Sequence, residues 1–320
     1  MIDFRYHLVS LLAVLLALAV GIVVGTTTMS RPAPSTSGDQ VARLTTENRD
    51  LQGSVRQLEA AQRFDDAFLR GLTPALVAGR LAGSSVLVVL LPGADPREAD
   101  ELARVVELAG GKVTGRVTFK DKYVEAAQAQ VLDDLTGRLV PPNVSLNRQG
   151  STPYDRSAVE LASILVTNQP SQVGREAPQA ATILTGFQSI GFLDYSGTPA
   201  KRASLVVVLT GAPAAGTPPP PEEQRRVQGA WLSLATALDA QGRGTVVAGP
   251  ATAAATGGLL TVLRGSPVAR QVSTVDGTGT VAARVSVVLA LAEQDRGRAG
   301  QYGSGTGATA PAPAVTPGGP

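Results

Sequence analysis

Apolar residues change their spacing several times along this chain, and each change predicts a different element. From Leu8 to Val24 the sequence reads LVSLLAVLLALAVGIVV, with no charge inside, closed by Gly25 and the polar Thr26-Thr27-Thr28. At the helical rise this run covers roughly 25 Å. With Tyr6 and the threonines at its ends it approaches the roughly 30 Å hydrocarbon core of a bilayer. An uncleaved transmembrane anchor over residues 1–29 and a cleaved signal peptide both fit. The anchor fits better: the run exceeds a signal peptide's apolar region, no small-x-small site follows, and Arg5 is offset by Asp3. The favoured topology has a short inner tail and a large outer domain.

Residues 30–40 lack apolar periodicity and contain SRPAPSTSGD, a Pro/Ser linker. Over 41–72 the period becomes helical. With Val41 at heptad position a, Asn48 and Val55 follow at a, and Leu44, Leu51 and Leu58 fall at d. Arg49, Arg56, Arg63 and Arg70 recur at the outward b position. This predicts a coiled-coil stalk forming a homodimer through Val41, Leu44, Asn48, Leu51, Val55 and Leu58, with Asn48 fixing the register. The other reading is an amphipathic helix packed on the chain's own domain, which Gly53 and the weaker later heptads favour.

From Ser84 the pattern changes to unbroken apolar runs separated by helices. Val86 to Leu91, VLVVLL, predicts a strand buried on both faces. A helix from Pro96 to Ala109 follows, then a glycine stop and a strand from Lys112 to Phe119. Helical spacing continues over Lys120 to Leu139, Tyr154 to Val166 and Ala177 to Phe187, with a short strand at Ser189 to Leu193. A second strand–helix–strand unit comprises Leu205 to Leu209, Glu222 to Ala240 and Gly244 to Ala248, with a proline-rich loop from Gly211 to Pro221. A helix at Leu259 to Arg264, a strand at Gln271 to Val275 and a helix from Thr278 to Glu293 complete the ordered part. The α/β domain thus spans 84–294, divisible into 84–193 and 204–294 either as a duplication or as two unrelated units of one type. Residues 295–320, rich in Gly, Ala, Pro and Thr, are expected to be disordered. The fold class is α/β: an N-terminal transmembrane helix, a coiled-coil stalk and a Rossmann-like parallel-sheet domain.

Composition narrows the chemistry. Lys+Arg number 28 and Asp+Glu 26, so the chain is nearly neutral and nucleic acid is not expected as a partner. Cysteine is absent, which excludes disulfides and thiolate sites. The only histidine is His7, and the only methionines are Met1 and Met29, so soft donors for Cu(I) are few. A Ser-His-Asp triad would need His7 at the membrane edge, and neither a Walker A motif nor G-x-S-x-G occurs. Gly277-Thr278-Gly279-Thr280-Val281-Ala282 matches G-x-G-x-x-A between a strand and a helix. No acidic residue on a following strand supports a nucleotide site, so a glycine-rich turn is the plainer reading. The chain is not expected to be an enzyme, and no catalytic, cofactor or metal residues are assigned.

The opening MIDFRYHLVSLLAVLLALAVGIVVGTT, the helix VARLTTENRDLQ, the stretch VSTVDGTGTVAARVSVVLALAEQ and the closing GQYGSG together resemble the actinobacterial MctB-like family. Its members are described as copper transport outer membrane proteins and resemble SteB-like envelope proteins of cell separation. The resemblance implies a cell-envelope location, with the outer membrane included, and a role in copper efflux, with copper implied by the family alone. It also implies an alternative, a non-catalytic scaffold binding an envelope protein partner. Short apolar strands separated by helices do not suit an outer-membrane barrel, which alternates over about ten residues per strand. One helix cannot enclose a pore, so a channel requires oligomerisation.

Overall fold

The structure, a computed structural model, describes residues 13–24, 36–141, 144, 149–213, 216 and 218–314. It divides into two compact units, Met1–Phe64 and Asp65–Pro320.

The first unit is helical where described. Residues 13–24 form α1, with every residue exposed. The rest of the expected span, Leu8 to Leu12, lies outside the described residues, and among the described residues no helix is long and apolar enough to cross a membrane. Helix α2, Thr36–Val77, starts inside the expected linker and runs past residue 72 through Pro74. Its last turns, in the second unit, extend the helix because Leu69, Leu76 and Val77 have apolar surface to meet there.

The second unit is a seven-stranded sheet in the order β3-β2-β1-β4-β5-β6-β7. Strands β1 (Ser85–Leu90), β4 (Leu205–Leu209) and β5 (Gly244–Gly249) are buried at every position. Continuous apolar runs do this because both faces of the central strands are covered. Leu87 and Val89 face one core, with helices α4 (Ala129–Leu139), α5 (Pro153–Leu165), α6 (Ala180–Ile190), α7 (Pro221–Gln241) and α8 (Leu259–Arg264). Val86, Val88 and Leu90 face the other, with α3 (Pro96–Leu108) and α9 (Val281–Gln294). Strand β1 pairs in parallel with both β2 (Lys112–Phe119) and β4. The two expected strand–helix–strand units therefore share one sheet and run outward from its middle in opposite directions.

Three expectations are corrected. The helix expected from Lys120 begins at Ala129, after 3-10 turns at Asp121–Val124 and Ala126–Gln128. The first turn inserts Tyr123 into the core, where its ring stacks on Trp231 at 5.4 Å and its hydroxyl lies 2.7 Å from Ser157 Oγ. The strand expected at Ser189 to Leu193 lies instead at Leu193–Gly197 (β3) and runs antiparallel to β2. Helix α6 continues to Ile190, and Gly191, at φ 84°, reverses the chain only after it. Residues 295–314 are not disordered: Gln301–Tyr302 form β7, parallel to β6 (Ser273–Asp276). Composition misleads here because the glycines serve close approach of the backbone, not freedom.

Candidate functional site

Along α2, the expected seam is bare. Val41, Leu44, Leu51, Val55 and Leu58 are 51–69% exposed, and Asn48 Oδ1 accepts a hydrogen bond from Gln52 Nε2 at 2.7 Å. An apolar stripe of this length on one helix is a surface looking for cover. Within the second unit, Leu69 of the same helix packs against the core that α3 and α9 share.

Where α2 enters the second unit, Asp66 Oδ1 accepts from the backbone N–H of Val281 at 3.0 Å, capping α9. Thr280 Oγ1 accepts from Ala283 N at 3.2 Å, Thr278 N donates to Gly249 O at 3.1 Å, and Thr280 N donates to Gly277 O at 3.0 Å. The N–H groups of Thr278, Thr280 and Val281 are thus committed inside the fold, and the glycine-rich turn is the reading the geometry favours. Gly277, at φ 81°, makes the reversal that a side chain would strain. Around the turn, Thr278 Oγ1 donates to Glu98 Oε2 at 2.6 Å, and Arg284 bridges the Thr278 carbonyl at 2.9 Å and Glu101 Oε2 at 3.0 Å.

A second cluster sits at the end of β6. Asp276 and Arg264 pair at 2.8 Å with side chains 1% exposed. Asp276 also accepts from the N–H groups of Ser304 at 2.9 Å and Gly305 at 3.1 Å. Arg264 donates to the carbonyls of Tyr302 at 2.6 Å and Thr306 at 3.0 Å and to Thr274 Oγ1 at 2.8 Å. A Cβ on Gly303 would stand 2.3 Å from Asp276 Cγ, so only glycine lets the tail close on the carboxylate. The motifs VSTVDGTG and GQYGSG, far apart in sequence, are the two halves of this clasp. The sequence signal for it was a lone Asp ending an apolar strand and a later glycine-spaced tail. Neither half signals the clasp without the other.

The third feature lies beyond the carboxyl ends of β1 and β4, where the strand order reverses and open α/β sheets place ligands. A crevice of about 310 Å³ is lined there by Pro92, Thr210, Pro218, Gln224, Gln228 and Trp231, among others. Its floor is a backbone contact: a Cβ on Gly211 would lie 2.3 Å from the carbonyl carbon of Gly93. The proline-rich loop from Gly211 to Pro221 forms one wall, with residues 214, 215 and 217 outside the described residues.

Elsewhere in the core, Glu160 on α5 is fully buried and, among the described residues, neither carboxyl oxygen has a hydrogen-bond partner. Burial pushes it up to about 8, with the nearby Thr136 hydroxyl offsetting only part of the cost. Burial likewise pushes Asp239 on α7 up to about 6. Nothing at residue level in the sequence marked either group.

Soft metal donors are few in this chain. Met1, His7 and Met29 all lie outside the described residues. Among the described residues, no group of three or more His, Cys, Asp or Glu side chains could hold a metal ion.

Comparison with known proteins bears on the whole chain. The family described as "Copper transport outer membrane protein, MctB" matches residues 1–313. The protein named "Copper transporter MctB" in Mycobacterium tuberculosis is 31% identical over 323 residues, covering 95% of this chain and 96% of its own length. The protein of the same name in Mycobacterium bovis matches to the same extent. The one in Mycobacterium leprae is 30% identical over 314 residues, with the same coverage. A match of this extent, carried through both halves of the Asp276 clasp, places the chain in the MctB family of copper transport outer membrane proteins.

Proposed function

We propose that this chain serves copper transport in the cell envelope as a membrane-anchored homodimer, its α2 helices paired in parallel and its α/β unit held outside the cytoplasm as a non-catalytic module. The observation that carries the reading is the exposed a/d stripe from Val41 to Leu58. Burying one leucine side chain is worth about 1.5–3 kcal/mol, so two facing stripes of this kind supply ample driving force for pairing. The charge-free run from Leu8 to Val24 supports the anchor. Copper, as cargo, meets thioether or imidazole only at Met1, His7 and Met29, all at or beside that run. Pairing brings two copies of each donor together, and a pathway between copies would require the assembled form. The test is copper tolerance of cells carrying Leu51→Lys in place of the native protein. Tolerance should fall to that of cells lacking the gene while protein level holds. Full tolerance with a dissociated stalk contradicts the reading.

A second reading has its own observation, the proline-walled crevice at the strand ends, whose long loop suits contact with another chain. In it the α/β unit is a scaffold for an envelope protein in assembly or cell separation. Purification from solubilised membranes, with and without substitution of Gln224 and Gln228 by alanine, separates the two. Loss of one co-purifying envelope protein with unchanged copper tolerance favours the scaffold.

A further inference from the structure

A pocket of about 350 Å³ lies within the second unit between the last turns of α2, α3 and α9. Three arginines line it, Arg70, Arg104 and Arg284, against one acid, Glu101. Arg284 is buried and already bridged to Glu101 and the Thr278 carbonyl. The neighbouring Asp66 is committed to capping α9 through Val281 N. Among the described residues, Arg70 and Arg104 make no ion pair or hydrogen bond, and both are exposed at the rim. Asp100, the acid whose charge Arg104 feels, is hydrogen-bonded to Arg116 instead. Counted over its lining, the pocket carries three cations against one anion.

Its other walls are apolar. Val281 and Val105 are buried, and Leu108 is 50% exposed, although the rest of the apolar side of α3 is covered. A half-exposed leucine beside two guanidinium groups that have no partner among the described residues places hydrocarbon and positive charge side by side. The arrangement matches a ligand with an oxyanion at one end and hydrocarbon at the other, because planar guanidinium forks bind phosphate or carboxylate oxygens in pairs. The volume exceeds that of a bare phosphate and falls in the range of small-molecule sites.

The geometry points to this pocket as a binding site for an anionic amphiphile, with Arg70 and Arg104 holding its phosphate and Leu108 and Val281 receiving the first part of its hydrocarbon. The inference is independent of stalk pairing and of copper transport. The shared chemistry is a phosphate group, which either a lipid headgroup or free phosphate supplies, and the experiment separates the two.

The full chain in a non-ionic detergent is titrated with dihexanoylphosphatidylglycerol, dihexanoylphosphatidylcholine or inorganic phosphate, and binding is read by native mass spectrometry. One phosphatidylglycerol per chain should bind, more tightly than phosphatidylcholine or phosphate. Arg70→Gln with Arg104→Gln should weaken it by about tenfold or more, as expected for two lost charge-assisted contacts. Arg49→Gln with Arg56→Gln removes the same charge from α2 outside the pocket and should leave binding unchanged. Leu108→Asn, at a half-exposed site that tolerates substitution, should weaken the lipid but not phosphate. Equal losses in the two arginine pairs, or equal binding of phosphatidylcholine, overturn the site. Phosphate binding as tight as the lipid overturns the amphiphile and leaves a free-anion pocket.

Discussion

The part of α2 expected as a stalk and the sheet unit treat their apolar side chains in opposite ways. In the sheet, each apolar run has cover: β1 sends alternate side chains into two cores, and α9 is buried nearly all round by its neighbours. Polar groups there are satisfied by the chain itself, down to the Asp276 carboxylate that takes N–H groups from a tail more than twenty-five residues later. Between Val41 and Leu58 the apolar residues have the regular spacing of a core but are exposed. A unit that covers itself can be stable alone. A stripe left exposed gains no such packing stability in the single chain. The contrast teaches that the sheet's apolar runs are covered within the chain, while the a/d stripe is exposed and is the surface that the proposed homodimer would bury.

The sharpest way to break the contrast is to damage the self-sufficient half. Asp276→Ala leaves Arg264 buried without its partner and frees the tail, and should destabilise the second unit by about 3–5 kcal/mol. Thermal or denaturant unfolding measures this, and stalk pairing should persist. The converse substitution is Leu51→Lys, which puts a charge at d in both copies and should weaken pairing by about 3 kcal/mol per dimer or more. Analytical ultracentrifugation should show dissociation, while the unfolding midpoint of the sheet unit stays unchanged.

A smaller effect should appear with pH in the sheet unit alone. Glu160 has its folded value raised from 4.5 to about 8, so the folded state holds a proton that the unfolded state releases. Stability from this site is full below the unfolded value and declines as pH rises from about 5 to 8. Asp239 adds a decline over a narrower range ending near 6. Glu160→Gln should flatten the first decline in unfolding free energy measured across that range. An unchanged slope would mean that the carboxyl is not the titrating group. The smallest change is Asn48→Leu, which replaces a polar a residue and should raise stalk stability by about 1–2 kcal/mol while admitting other oligomer numbers.

Much of the sheet was legible in the sequence because buried parallel strands write themselves as VLVVLL or LVVVL, bounded by glycine and proline. The middle third was harder. Tyr123 enters the core on a 3-10 turn whose apolar spacing passes for helix, and Gly191 delays the antiparallel edge strand by a few residues. The tail was misread because Gly303 and Gly305 look like flexible spacers until Asp276 is placed against them. The candidate sites fared similarly. The expected seam rests on one helix's periodicity, and its apolar residues are exposed in the single chain. The arginine pocket joins Arg70, Arg104 and Arg284 from three separate helices, which no local pattern records.

The central claim, that α2 pairs in parallel through its a/d stripe, is tested most directly by single cysteines in the full chain, which has none of its own. A disulfide forms only when Cβ atoms approach within about 3.5–4.5 Å, so it reports facing positions. In membranes under mild oxidation, Leu51→Cys at d should cross-link to a dimer, and Arg56→Cys at the outward b position should stay monomeric. Equal cross-linking at both positions, or none at either, would contradict the account.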